Sequence, residues 1–275
     1  MSLFDDNDIS YSQFNRIYVI EVVIQGEWRT GKELYDDTLS KYEFKHPWFT
    51  SSYHPIDSKK GLLSLLKQIR SDAATKQIFP YLHFEAHGNK VGLQVSRGVI
   101  MKWEDLADEL RKINIVTKNN LMVSLASCYG SYILKGARLN QRAPFYGVIA
   151  PVERIKSTEI IEAYNILYDN IVNSDDIHKA IDLIRANIQQ PTSRITYIHS
   201  ETVFRAISEN LARDMREPIY RQKRILEMTA KHMSNVHLRL NNTIPQIIDR
   251  ITNVVNNSDN TFIQMIQHFR MDDLK

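Results

Sequence analysis

Four short, nearly continuous apolar runs recur before residue 152: RIYVIEVV (16–23), IFPYLHFEAH (78–87), NNLMVSLAS (119–127) and APFYGVIAP (143–151). Stretches long enough for a helix separate them. A strand that is apolar on both faces must be covered on both faces. A strand–helix alternation does this with a parallel sheet sandwiched between helices. No other feature of the sequence constrains the fold as strongly.

The intervening segments fit that reading. GEWRTGKELYDDTLSKY (26–42) reads as a helix, and YEFKHPWFTS (42–51) as a possible second strand, with turns near Pro47 and Pro55. In 59–74, Leu62, Leu65, Leu66 and Ile69 share one helical face. VGLQVSRGVIM (91–101) reads as a hairpin turning at Ser96-Arg97-Gly98. KWEDLADELRKIN (102–114) and STEIIEAYNILYDNIV (157–172) follow as helices, the latter capped by Ser157 or Thr158, and 175–188 belongs with the same unit. The fold class is therefore α/β, a mostly parallel sheet with helices on both faces, over residues 1–195. QQPTSR (189–194) reads as a linker or turn. Beyond it the chain, divided here as 196–275, reads as a helical C-terminal appendage from about residue 198, suited to regulation, docking or completing the fold.

Composition narrows the function classes. The formal charge is +3 over 275 residues, with 35 basic and 32 acidic side chains, so no electrostatic footprint of nucleic-acid binding is expected. The single cysteine rules out an intramolecular disulfide, and a reducing cytoplasm is the expected compartment. MSLFDDNDIS (1–10) lacks the pattern of a signal peptide, and no apolar run reaches the roughly 18–20 residues of a membrane span, so no membrane association is expected. No Gly-rich phosphate loop follows any strand, which sets aside a nucleotide-binding domain.

In parallel sheets, sites form at the carboxyl ends of strands. Two reactive residues stand there: His87 after one predicted strand and Cys128 after another, each followed closely by glycine (Gly88, Gly130). A cysteine nucleophile needs a partner that favours the thiolate and later protonates the leaving amine, and histidine does both. The N–H groups of Gly88 and of Cys128 itself are suited to hold an oxyanion. Taken singly, a strand-end cysteine is ordinary core packing and His-Gly an ordinary turn. It is the combination, in this order and 41 residues apart, that points to amide cleavage.

HFEAHG (83–88) and SLASCYG (124–130) resemble the histidine and cysteine motifs of caspase-like (clan CD) cysteine peptidases, most closely the bacterial CHAT-type branch, which is related to separase. VGLQVSRGVIMKWEDL resembles the hairpin and Trp-containing helix between those motifs, and FYGVIAPVERIKSTEIIEAYNILYDNIV the later strand and helix. The resemblance spans roughly residues 15–190. It implies a caspase-like fold and a cysteine endopeptidase acting on protein or peptide substrates through a His87–Cys128 dyad. Gly88 is the implied oxyanion donor, and no metal or organic cofactor is required. It also implies activation by a partner protein in a bacterial stress or defence system, for which the C-terminal helices are the docking candidate. A catalytically silent scaffold that binds partner proteins is the alternative.

One position departs from the pattern. Two residues before the cysteine, caspases carry Gln and many metacaspases Asp, lining the pocket for the residue before the scissile bond. Here Ala126 stands there, so neither specificity carries over, and an Asp or Glu from a loop would be needed to select basic residues. Tyr129 is placed either beside the substrate or packed on the next helix. His83, Glu85 and His87 alternate and are expected on one strand face. The strand spacing lacks the helical geometry of zincins, so His83 and Glu85 are read as orienting or packed polar groups. His54 and Trp48 are read as loop residues flanking a groove or simply lying at the surface. The basic run 216–224 is read as a solvated helix face, and Met215, Met228 and Met233 as packing residues.

Overall fold

A computed structural model describes residues 12–138, 140–174, 177–187, 195–234 and 243–274. The segments 1–10 and 189–194 discussed above lie outside the described residues, as does the side chain of Met215.

Six strands form one sheet: β1 (Arg16–Val22), β2 (Thr50–Ile56), β3 (Pro80–Glu85), β6 (Met122–Ala126), β7 (Gly147–Pro151) and β8 (Ile195–His199). Their order is β2-β1-β3-β6-β7-β8, parallel throughout except for the antiparallel β7–β8 pair. The remaining strands, β4 (Gly92–Ser96) and β5 (Val99–Lys102), make a separate antiparallel hairpin. The expected α/β sheet between helix layers is what the chain adopts.

The pleat sorts the strand residues by parity. Tyr18, Ile20, Leu82, Phe84, Val123 and Leu125 pack under α3 (Lys59–Thr75) and α4 (Trp103–Val116). Ile17, Val19, Tyr81, Met122 and Ala126 pack under α1 (Thr30–Leu34), the π-helical turn Tyr35–Leu39, α5 (Ser157–Ser174) and α6 (Ile177–Asn187). The chain leaves β1 onto this second face and leaves β3 onto the first. The two connections part at the carboxyl ends of β1 and β3, and this topological switch point opens a crevice there.

Three local expectations are corrected. The second strand is Thr50–Ile56, not 42–51, because Ser40–Lys45 is still helical (α2) and Pro55 sits in the strand. That proline is tolerated because β2 is an edge strand, where a missing N–H need not break the ladder. The helix expected from residue 26 begins at Thr30. β8 was not expected, and it places the border at 195/196 inside a strand of the sheet.

The C-terminal region is otherwise helical: α7 (Ser200–Arg216), α8 (Pro218–Ser234), α9 (Ile244–Asn256) and α10 (Ser258–Arg270). Phe204, Ile266, Phe269 and Met271 pack with Ala143 of the α/β unit, and Ala143 N–H donates to Phe269 O at 3.0 Å. Met228 and Met233 pack, as expected, on Ile247, Ile251 and Val255 in a second small cluster. Among the described residues no helix is long and apolar enough to cross a membrane.

Candidate active site

β3 and β6 are hydrogen-bonded neighbours, with Glu85 in register with Ala126. Their carboxyl ends therefore deliver His87 and Cys128 to one place. Both line a cleft of about 160 Å³ at the switch point, together with Glu21, Glu27, Glu85 and Ala126.

Past Ala126 the chain makes a tight turn closed by Gly130 N–H donating to Ser127 O at 3.1 Å. The left-handed residue of this turn is Tyr129 (φ 59), not Gly130. A side chain costs on the order of 1–2 kcal/mol in that conformation, so the cysteine turn is held under strain. Gly130 is needed for a different reason: a Cβ there would lie 2.9 Å from Leu125 Cβ and 3.1 Å from Ala150 Cβ. Tyr129 N–H donates to Glu153 O at 3.0 Å, and its ring packs edge-on against Tyr132 at 5.7 Å.

Gly88 bridges Leu93 of the hairpin, but the bonds are made by its neighbours. Gln94 N–H donates to His87 O and Asn89 N–H to Gly92 O. Gly88 thus occupies a non-hydrogen-bonded pair, and its own N–H turns away from the hairpin. Its missing side chain is required by close approach. A Cβ would lie 2.1 Å from Ser127 Oγ and 2.5 Å from the Cys128 carbonyl oxygen. The His-Gly end of β3 therefore lies directly against the cysteine turn.

His87 is 60% exposed, and its Nε2 is 2.8 Å from Glu27 Oε2. Glu27 was not anticipated. It lies in the loop after β1, and no motif marks it. Only the convergence of strand ends at the switch point brings it to His87. Cys128 Sγ makes its contact with Ile155 O, at 3.7 Å. Neither contact joins His87 to Cys128.

β3 ends at Glu85, so the expected shared face holds for His83 and Glu85 but not for His87, which lies beyond the strand. His83 is fully buried between the edges of Tyr164 and Tyr168, and its Nε2 is 2.9 Å from Glu85 Oε1. Burial pushes the Tyr164 hydroxyl up, and its neighbours Tyr81 and Glu85 push it further. Glu85 Oε2 accepts from Thr30 Oγ1 at 2.8 Å. These groups orient one another rather than His87. Glu21, the β1 partner of Glu85, accepts from Gly31 N–H at 2.9 Å, Arg29 Nε at 3.2 Å and Tyr53 Oη at 2.5 Å. Burial, and then the Glu21 carboxylate, push the Tyr53 hydroxyl up to about 12.

His54 and Trp48 lie away from the cleft. His54 is in β2, stacked on Tyr18, where burial and then Arg16 lower its pKa. Trp48 packs edge-on to Phe14. No protein-family model and no curated protein matches the chain. What the cleft can do is argued from its own residues.

Proposed function

We propose that the chain is a cysteine endopeptidase with Cys128 as nucleophile and His87 as base and acid. The observation that carries this reading is the meeting of His87 and Cys128 in one cleft at the carboxyl ends of two adjacent parallel strands, with Gly88 packed against the Cys128 backbone. Glu27 engages His87 Nε2, leaving Nδ1 to accept the thiol proton. The sulfur then attacks the peptide carbonyl carbon. The oxyanion is held by the Gly88 and Cys128 N–H groups, and the imidazolium returns its proton to the leaving amine. Water, deprotonated by His87, hydrolyses the thioester and frees Cys128. The caspase-like family relationship and activation by a partner protein belong to this proposal and rest on the motif resemblance.

The test compares the purified chain with Cys128→Ala on a proteome-derived peptide library, reading new N-termini by mass spectrometry. Cleavage by the wild type alone supports the peptidase, and equal yields from both sink it. A second reading, a silent scaffold, is favoured by one observation: the thiol contacts Ile155 O while His87 contacts Glu27. A scaffold keeps its partner-dependent function in Cys128→Ala, whereas a peptidase loses it.

A further inference from the structure

No residue of α8 (Pro218–Ser234) is buried. Its packed side, Ile225, Met228 and Met233, meets Ile247, Ile251 and Val255 of α9. Outside that seam stand Ile219 and Leu226, which are 85% and 64% exposed. They are spaced as i and i+7, two helical turns, and so share one face, with Lys223 between them. Tyr220, and Ile244, Ile248 and Val254 of α9, add exposed apolar surface on the same two helices. Apolar side chains scattered singly over a surface are ordinary, but gathered on one pair of helices they mark a surface that something covers.

The charge of α8 says what that is. Arg221, Lys223, Arg224 and Lys231 stand against one acid, Glu227, which itself lies 3.7 Å from Arg224. Lys223 and Lys231 have no carboxylate partner among the described residues. A solvated face accounts for the charges but not for two large aliphatic side chains left in water beside them. A second copy of the chain would set this basic helix against itself, and like charges repel. A helix lying in a lipid surface presents an unbroken apolar face, and Lys223 interrupts this one. What fits is a helix with apolar side chains at i, i+3, i+4 and i+7 and acidic ones beside them. The first cover Ile219 and Leu226, and the second meet the lysines.

We propose that this outer face of α8 is a docking surface for an acidic amphipathic helix of a partner protein. Ile219 and Leu226 are the apolar anchors, and Lys223 and Lys231 set the sign of the partner's charge. The proposal concerns binding alone and stands whether or not Cys128 cleaves peptides.

The probes are fluorescein-labelled synthetic peptides about five helical turns long. One carries Leu on one face and Glu on the other. One has the same residues scrambled so that no face is apolar, and one has Lys in place of Glu. Binding to the full chain is read by fluorescence anisotropy. The acidic amphipathic peptide should bind at least about tenfold tighter than either control. Ile219→Gln with Leu226→Gln, and separately Lys223→Glu with Lys231→Glu, should each remove about tenfold of that affinity. All four side chains are exposed, so circular dichroism should not change. Equal binding of the scrambled peptide, or no binding of any peptide, overturns the proposal. So does binding to phosphatidylglycerol vesicles in place of the peptide, which would assign the face to a lipid surface. A dimer in size-exclusion chromatography that Ile219→Gln with Leu226→Gln dissolves would assign it to a second copy, and overturns the proposal too.

Discussion

Gly88 is where the two halves of the candidate site touch, and the contact involves Cys128 backbone, which cannot swing aside as a flexible side chain can. Gly88→Ala should therefore push the His-Gly segment off the cysteine turn. It should lower stability by about 2 kcal/mol and lower cleavage by about a hundredfold through the displaced N–H. Urea melts and kcat/KM on one peptide read the two effects separately. Glu27→Gln keeps the shape of the residue but removes the carboxylate from His87. A loss of about tenfold in kcat/KM is expected, with a matching slower alkylation of Cys128 by iodoacetamide and an unchanged melting midpoint. His87 and Cys128 were legible because each closes an apolar run. Glu27 was not, because its role is created by a loop meeting a distant strand end. Glu21 and Glu85 read as strand residues, and their proximity is a property of register.

At the scale of elements, the strands hidden on both faces were plain in the sequence and the edge strands were not. β2 carries Pro55 and mixed polarity, since one of its sides has no partner strand. β8 is five residues long and sits in a region dominated by helical spacing. Its last residue carries a stability prediction. His199 lies 4.4 Å from the Tyr146 ring, its Nε2 is buried with no hydrogen-bond partner among the described residues, and burial, then nearby Arg205 and Arg270, lower its pKa from 6.5 to about 4. The unfolded chain binds a proton there that the folded chain refuses. The stability from keeping it neutral is thus complete above pH 6.5 and is lost as pH falls toward about 4. On the order of 2 kcal/mol should disappear across that window. His199→Gln should flatten this part of the curve in urea melts between pH 7 and 4.5.

At the scale of the molecule, the helical region and the sheet share elements. β8 pairs with β7, Phe204, Ile266 and Phe269 cover Ala143, and Arg142 holds Asp273 with both terminal nitrogens. A chain ending at residue 194 would lose β8 and uncover the β7 edge, an invitation to pairing between molecules. It should elute as aggregate in size-exclusion chromatography. A monomeric, cooperatively melting 1–194 fragment would show instead that the sheet closes without β8.

The sequence by itself determined the α/β class, the central strands, the helix that follows the hairpin, and the two strand-end residues His87 and Cys128. These follow from local periodicity and from which residues stop an apolar run, and neither depends on distant partners. The tertiary structure alone decided the strand order, and so the switch point that opens the cleft. It also decided the register that sets Glu21 beside Glu85 and the loop that brings Glu27 to His87. Each of these is a pairing between segments far apart in the chain, and a one-residue slip would move every side chain of a strand to the other face.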